Sequence, residues 1–148
     1  MRVYIGLGSN LGNREGNLRM GIAKLSRLMT EIRVSTLRET LAIGPSQPAY
    51  LNGVLEGETD FRPACLLRVL KTIEYDLGRR PAPRWTARSL DLDILLFEHE
   101  IIRMHDLHIP HPEIPKRRFV LESLCELDGD LVHPSLHKTV SQLLEELR

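Results

Sequence analysis

The sequence predicts an α+β fold, an antiparallel sheet with helices packed on it. Three observations lead there. Apolar runs and helically spaced apolar stripes follow in the order strand, helix, strand, strand, helix, strand. The 148 residues show no internal repeat, linker or low-complexity tract, which suits one domain over 1–148 with its own core. Behind the last of these strands come a proline-rich stretch and two short helical patterns, which would be additions at the C-terminal end.

Residues 3–7 are a short apolar run and predict the first strand. Gly8-Ser9-Asn10-Leu11-Gly12-Asn13 reads as a tight turn, with Asn13 capping a helix that runs to about residue 28. Leu18, Ile22, Leu25 and Leu28 or Met29 form its stripe. Such a turn can also cradle phosphate on backbone N–H groups, although the lysine of a P-loop is missing. Ile32, Val34 and Leu37 among polar neighbours predict a second strand over 30–39. Residues 40–49, with Gly44, Pro45 and Pro48, read as a loop.

Residues 50–57 predict a third strand, with Tyr50, Asn52 and Val54 on one side and Leu51 and Leu55 on the other. Asn is unfavourable inside a strand, so Asn52 marks either a hydrogen-bonding role or a bulge. Pro63 opens the second helix, Leu66, Leu67, Leu70 and Ile73 form its stripe, and Gly78 ends it. Lys71 shares a helix face with Glu74 and Tyr75. The fourth strand starts near Asp91, followed over 98–102 by a turn and short return strand. Residues 120–127 and 141–147 predict the two late helices, the second one amphipathic. This order matches the ferredoxin-like split βαβ plan.

The chemistry concentrates in residues 84–97, RWTARSLDLDILLF. Alternation along a strand puts Asp91 and Asp93 side by side while Leu92, Ile94 and Leu96 turn into a core. Paired carboxylates repel unless a cation or basic partner holds them, and hard oxygens at this spacing suit magnesium. Residues 79–88 hold Arg79, Arg80, Arg84 and Arg88 and no acid, a set suited to phosphate oxygens. The alternative is a solvated pair beside an ordinary charge run. A second basic cluster, Lys116-Arg117-Arg118, precedes Phe119. His105, His108 and His111 repeat every third residue, but Pro110 prevents a regular helical face, which argues against zinc. If the second helix neighbours the Asp91 strand, these groups form the parts list for phosphoryl-type transfer.

Lys plus Arg and Asp plus Glu number 20 each, so net charge is zero, which argues against a bulk nucleic-acid binder. Apolar runs are too short for a membrane span or a signal peptide, making the cytoplasm the default expectation. Cys65 and Cys125 lie in apolar helical contexts and are expected as buried reduced thiols. For want of an interface stripe, a monomer is expected.

At this point the chain resembles the 6-hydroxymethyl-7,8-dihydropterin pyrophosphokinases of folate biosynthesis. The likeness runs through Gly8-Ser9-Asn10-Leu11-Gly12, Gly44-Pro45, Gln47-Pro48, Tyr50-Leu51-Asn52, Glu74, Gly78-Arg79, Arg84-Trp85, Arg88-Ser89-Leu90-Asp91-Leu92-Asp93, Pro110-His111-Pro112 and Arg117-Arg118-Phe119-Val120-Leu121. It covers essentially the whole chain. The resemblance implies pyrophosphate transfer from ATP to the hydroxymethyl group of the dihydropterin, releasing AMP. It implies that Asp91 and Asp93 bind two Mg2+ ions and that Arg79 and Arg88 stabilise phosphate charge, with Arg84 and Trp85 on a closing loop. Lys71, Glu74, Ile94, His111 and Arg117 would line the ATP side. Tyr50, Asn52 and Phe119 would hold the pterin, with Phe119 stacking on its ring, and Thr40, Leu41 and Ile43 would close over it. In other members, proline often replaces Leu41 or Ala42, some have a basic residue in place of Asp106, and some have an aromatic in place of Pro112.

A nucleotidyltransferase also combines Gly-Ser with paired aspartates, but close together in sequence, whereas Ser9 and Asp91 are far apart. A ligand-binding or interaction module of the same fold would show neither ATP turnover nor magnesium dependence.

Overall fold

The computed structural model describes residues 1–41, 48–78 and 89–147. β1 (Arg2–Ser9) lies inside the sheet, between β4 (Tyr50–Glu58) and β5 (Asp91–Phe97), antiparallel to both. β2 (Thr30–Val34) and β3 (Arg38–Thr40) each pair antiparallel with β4. The resulting path, β2-β4-β1-β5, is the ferredoxin-like order.

α1 (Arg14–Ser26) and α2 (Pro63–Asp76) cover one face. Leu18, Leu25, Leu66, Leu70 and Ile73 pack there against Val3, Ile5, Leu7, Leu55, Leu92 and Ile94. Asn13 caps α1 as expected, its side chain accepting from Gly16 N at 3.0 Å. Gly78 follows α2 with φ of 101°, a left-handed turn that favours glycine. α3 (Arg118–Asp128) and α4 (Val140–Glu146) cover the other face, where Leu121, Leu124, Val140 and Leu143 meet Tyr4, Val54, Leu95 and Leu96. Between β5 and α3 lie the short pair β6 (Ile102–Arg103) and β7 (His108–Ile109) and a 3-10 turn at Ile114–Lys116. β8 (Val132–His133) and β9 (Lys138–Thr139) pair just before α4.

Four expectations change. The strand expected over 30–39 is two strands, because Ser35 leaves the regular ladder and its hydroxyl accepts from Val54 N at 2.9 Å. Gly8 and Ser9 are not turn residues but the last two of β1, paired with Asn52 and Leu51 of β4. Leu96 does not share a face with Leu92 and Ile94. The register shifts between Tyr4 and Ile5, leaving Leu95 unopposed, and this bulge turns Leu96 towards α3. Cys65 and Cys125 are half-buried free thiols rather than fully buried ones. Among the described residues, no helix is long and apolar enough to cross a membrane.

β4 also carries a charge inwards. Glu56 is only 3% exposed. The Tyr4 hydroxyl donates to its Oε2, Arg33 Nε donates to Oε1 at 2.7 Å, and Arg2 lies 3.3 Å away. Burial by itself would raise the Glu56 pKa, but hydrogen bonds from Arg33 and Tyr4 and the charges of Arg33 and Arg2 hold it below the ordinary 4.5. The unfolded chain therefore binds this proton more readily. The stability tied to Glu56 is complete above about pH 4.5 and is lost as pH falls through the lower folded value. Glu56→Gln is expected to lower the melting temperature at neutral pH and to flatten its acid dependence. Melting curves from neutral into acid pH check this, and parallel pH profiles for the two proteins would contradict it.

Candidate active site

Among the described residues, one end of the sheet gathers Tyr50, Asn52, Asp91 and Asp93 on the face that α3 covers. Strand alternation explains the gathering. Leu51 and Leu55 turn towards α1 and α2, so Tyr50, Asn52 and Val54 face α3. Leu92 and Ile94 likewise turn towards α1 and α2, which leaves Asp91 and Asp93 together on the α3 face. Asp91 is half-buried and Asp93 exposed.

Gly8 joins the two groups. In register it lies between Asn52 on β4 and Asp91 on β5. A Cβ there would stand 3.2 Å from Asn52 Oδ1 and 3.4 Å from Tyr50 Cδ1. The missing side chain lets the Tyr50 ring lie across β1, and the hydroxyl donates to Asp91 Oδ2 at 3.0 Å. β4 and β5 are not adjacent, so the Tyr50 side chain links strands that stand two spacings apart, about 9–10 Å. Asn52 is buried, and its Nδ2 donates to Thr40 Oγ1, on the residue paired with Tyr50. Asn52 is thus a hydrogen-bonding strand residue. Leu41, one residue beyond Thr40, is exposed.

Arg14 at the start of α1 holds this edge from outside. It donates to Ala49 O at 2.9 Å and pairs with Glu39 at 3.2 Å. Asn10 Nδ2 donates to Pro48 O at 3.3 Å.

The segment before α3 brings up the remaining groups. His111 N donates to Leu95 O at 2.9 Å, docking the Pro110-His111-Pro112 stretch on β5. Burial lowers the His111 pKa; Asp93 opposes this and Arg117 reinforces it. His111 Nδ1 accepts from Glu113 N at 3.1 Å, so the neutral ring carries its proton on Nε2, as a donor. Arg117 stands at the N-cap of α3, 4.0 Å from Glu113, and Phe119 lies half-buried in the first turn at the margin of the core. Asp106 and Pro112, two of the departures, are exposed.

On the α2 side, Glu74 is buried, and its Oε2 accepts from Leu92 N, between the two aspartates, at 2.7 Å. The expected adjacency of α2 and the Asp91 strand is therefore present, and the carboxylate steadies that strand. Lys71 is exposed one turn earlier. Ile94 is expected on the ATP side; the structure shows only where its side chain sits. Its side chain is 4% exposed and packs in the α1/α2 core, because strand alternation turns it away from Asp91 and Asp93. Ile43, Arg79, Arg84, Trp85 and Arg88 lie outside the described residues.

The paired carboxylates suit a hard divalent cation: both are oxygen donors on one face at the accessible end of a strand. Among the described residues no group of three or more His, Cys, Asp or Glu could hold a metal ion. A cation here would rely on the aspartate pair and on oxygens from a ligand or water. His105 and His108 are exposed and do not join His111 in such a group. Sequence reasoning missed Gly8 as the floor of the site. Its signal is the Gly6, Gly8 alternation, which bares one strand face twice in succession.

The family model described as 7,8-dihydro-6-hydroxymethylpterin-pyrophosphokinase (HPPK) matches residues 4–129. A 2-amino-4-hydroxy-6-hydroxymethyldihydropteridine pyrophosphokinase of Aquifex aeolicus is 37% identical over 97% of this chain and 91% of its own length. One from Bacillus subtilis is 42% identical over 84% of this chain and 76% of its own. Among solved structures, a Plasmodium falciparum HPPK-DHPS triple mutant superposes with a TM-score of 0.77 at 16% identity. That match covers 98% of this chain and 44% of the Plasmodium one, and it shows the fold alone. By sequence, supported by fold, this chain belongs to the 7,8-dihydro-6-hydroxymethylpterin-pyrophosphokinase family.

Proposed function

We propose that the chain transfers pyrophosphate from ATP to the hydroxymethyl group of 6-hydroxymethyl-7,8-dihydropterin in folate synthesis, at the Asp91–Asp93 end of the sheet. The pterin hydroxyl oxygen bonds to the β-phosphorus, the bond to the bridging oxygen on the α side breaks, AMP leaves and the hydroxyl proton is released. One observation carries the assignment: the Tyr50–Asp91 hydrogen bond ties the pterin wall to the phosphate-facing carboxylates.

Each residue has a role in this reading. Asp91 and Asp93 would hold Mg2+, two ions by family resemblance, supplying charge neutralisation to the ATP phosphates when bound. Phe119 stacks on the pterin, Asn52 reads its polar edge, and Tyr50, Thr40, Leu41 and Ile43 complete the wall. Arg117 and the Nε2–H of His111 approach the nucleotide, with Lys71 and Glu74 on its α2 side. Arg79, Arg84, Trp85 and Arg88 would stabilise phosphate charge from their own segment. Ile94 keeps only a backbone role. The enzyme is taken to act as a cytoplasmic monomer.

The test is incubation with ATP, magnesium and the hydroxymethyl-dihydropterin, reading AMP and pyrophosphorylated pterin, with a parallel arm containing a chelator. AMP release that needs both pterin and magnesium is expected. Pyrophosphate release would favour a nucleotidyltransferase, and the absence of turnover a binding module.

A further inference from the structure

α3 and β3 form opposite walls of the proposed pterin site and are far apart in sequence, so something must set the gap between them. α3 carries Phe119, and β3 ends in Thr40, which is bonded to Asn52. Arg38 is the register partner of Asn52. Its guanidinium crosses to α3: Nη1 donates to Ser123 Oγ at 2.9 Å and Nη2 to Glu126 Oε1 at 2.8 Å. Nη1 also donates to Thr36 O at 3.1 Å. The other Glu126 oxygen returns to the strand side, accepting from Thr36 N at 2.8 Å and Thr36 Oγ1 at 3.0 Å. Phe119, Ser123 and Glu126 are spaced by four and three residues, so they share one helix face. Ser123 is 2% exposed, one turn beyond Phe119.

An isolated surface ion pair would contribute little. This arrangement differs in two ways. Arg38 makes one bond each to Ser123 and Glu126, Glu126 accepts two more from Thr36, and one anchor, Ser123, is buried. The bridge starts opposite Asn52 and ends one turn from Phe119, joining the two residues assigned to the pterin.

We propose that Arg38, held by Ser123 and Glu126, is a positioning residue that fixes the gap between Phe119 and Asn52 and thereby tunes affinity for the pterin. This rests on the functional reading above. The clamp touches none of the residues assigned to ATP, and of the assigned groups at the start of α3 only Phe119 shares its helix face, so its loss falls mainly on the pterin. Arg38→Met keeps the apolar stem and removes the donors. It is expected to raise KM for the pterin about tenfold, the scale of a displaced positioning contact, while KM for ATP stays within about twofold. Arg38→Lys is expected to recover part of the loss, since an ammonium can reach one anchor but does not reproduce the planar fork. Ser123→Ala and Glu126→Gln are expected to move the same constant in the same direction.

Steady-state KM for each substrate, with the other saturating, and the melting temperature are measured for every variant. Equal rises in both KM values, an unchanged pterin KM, or pterin losses that merely follow melting temperature would each overturn the clamp. Should Arg38→Met fail to fold, unchanged pterin KM values in Ser123→Ala and Glu126→Gln would do the same. The parent chain separates the two levels. If it releases no AMP with the pterin, the functional reading fails and the clamp with it. If it turns over and the variants match it, only the clamp fails.

Discussion

Asp93→Ala is expected to abolish AMP release while leaving the fold intact. Asp93 is exposed near the accessible end of β5, so its carboxylate contributes no core packing. Its neighbours Leu92 and Ile94 anchor the strand from the opposite face, and Glu74 secures the backbone between the aspartates. Removing a group that helps to hold transition-state charge costs on the order of 10³-fold in rate. Initial rates of AMP release under saturating ATP, pterin and magnesium give the first measurement, and melting temperature the second. A near-normal rate would remove Asp93 from the metal site. A collapsed melting temperature would make it a structural residue instead. Asp91→Ala is a less clean test, because it also removes the acceptor of the Tyr50 hydroxyl.

Phe119→Ala is expected to be the next largest loss, and selective for one substrate. A heteroaromatic ring stacked on an aromatic side chain is worth about 1–3 kcal/mol. KM for the pterin should therefore rise roughly ten- to a hundredfold while KM for ATP changes little. Phe119 also touches the α3 core, so some loss of stability accompanies the change. Phe119→Leu separates the two effects by restoring apolar volume without a ring face. It should recover melting temperature and leave pterin KM high. Equal losses for both substrates would contradict stacking.

Much of this architecture is legible along the chain. Period-two alternation put Asp91 beside Asp93, and Tyr50 beside Asn52, before any fold was known. Helical spacing marked Leu18 and Leu25, and Leu66, Leu70 and Ile73, as buried stripes, and Asn13 as a cap. The misreadings have a common cause. Gly8 looked like a turn because glycine breaks strands in isolation. In the sheet it is paired on both sides, and its bareness makes room for Tyr50. Counting in twos along the strand puts Leu96 on the face of Leu92 and Ile94, and the bulge at Leu95 displaces that count by one.

Local pattern was enough for the order of the main helices and strands, the face most side chains take along their own strand or helix, and the motif that names the family. It was not enough for the bonds that assemble the site. Tyr50 reaches Asp91 across β1, Glu74 grips Leu92, and Arg38 reaches α3. Each joins residues whose closeness depends on which strands pair, in which register, and over which helix. Register is a property of two segments at once, so no periodicity within either one contains it.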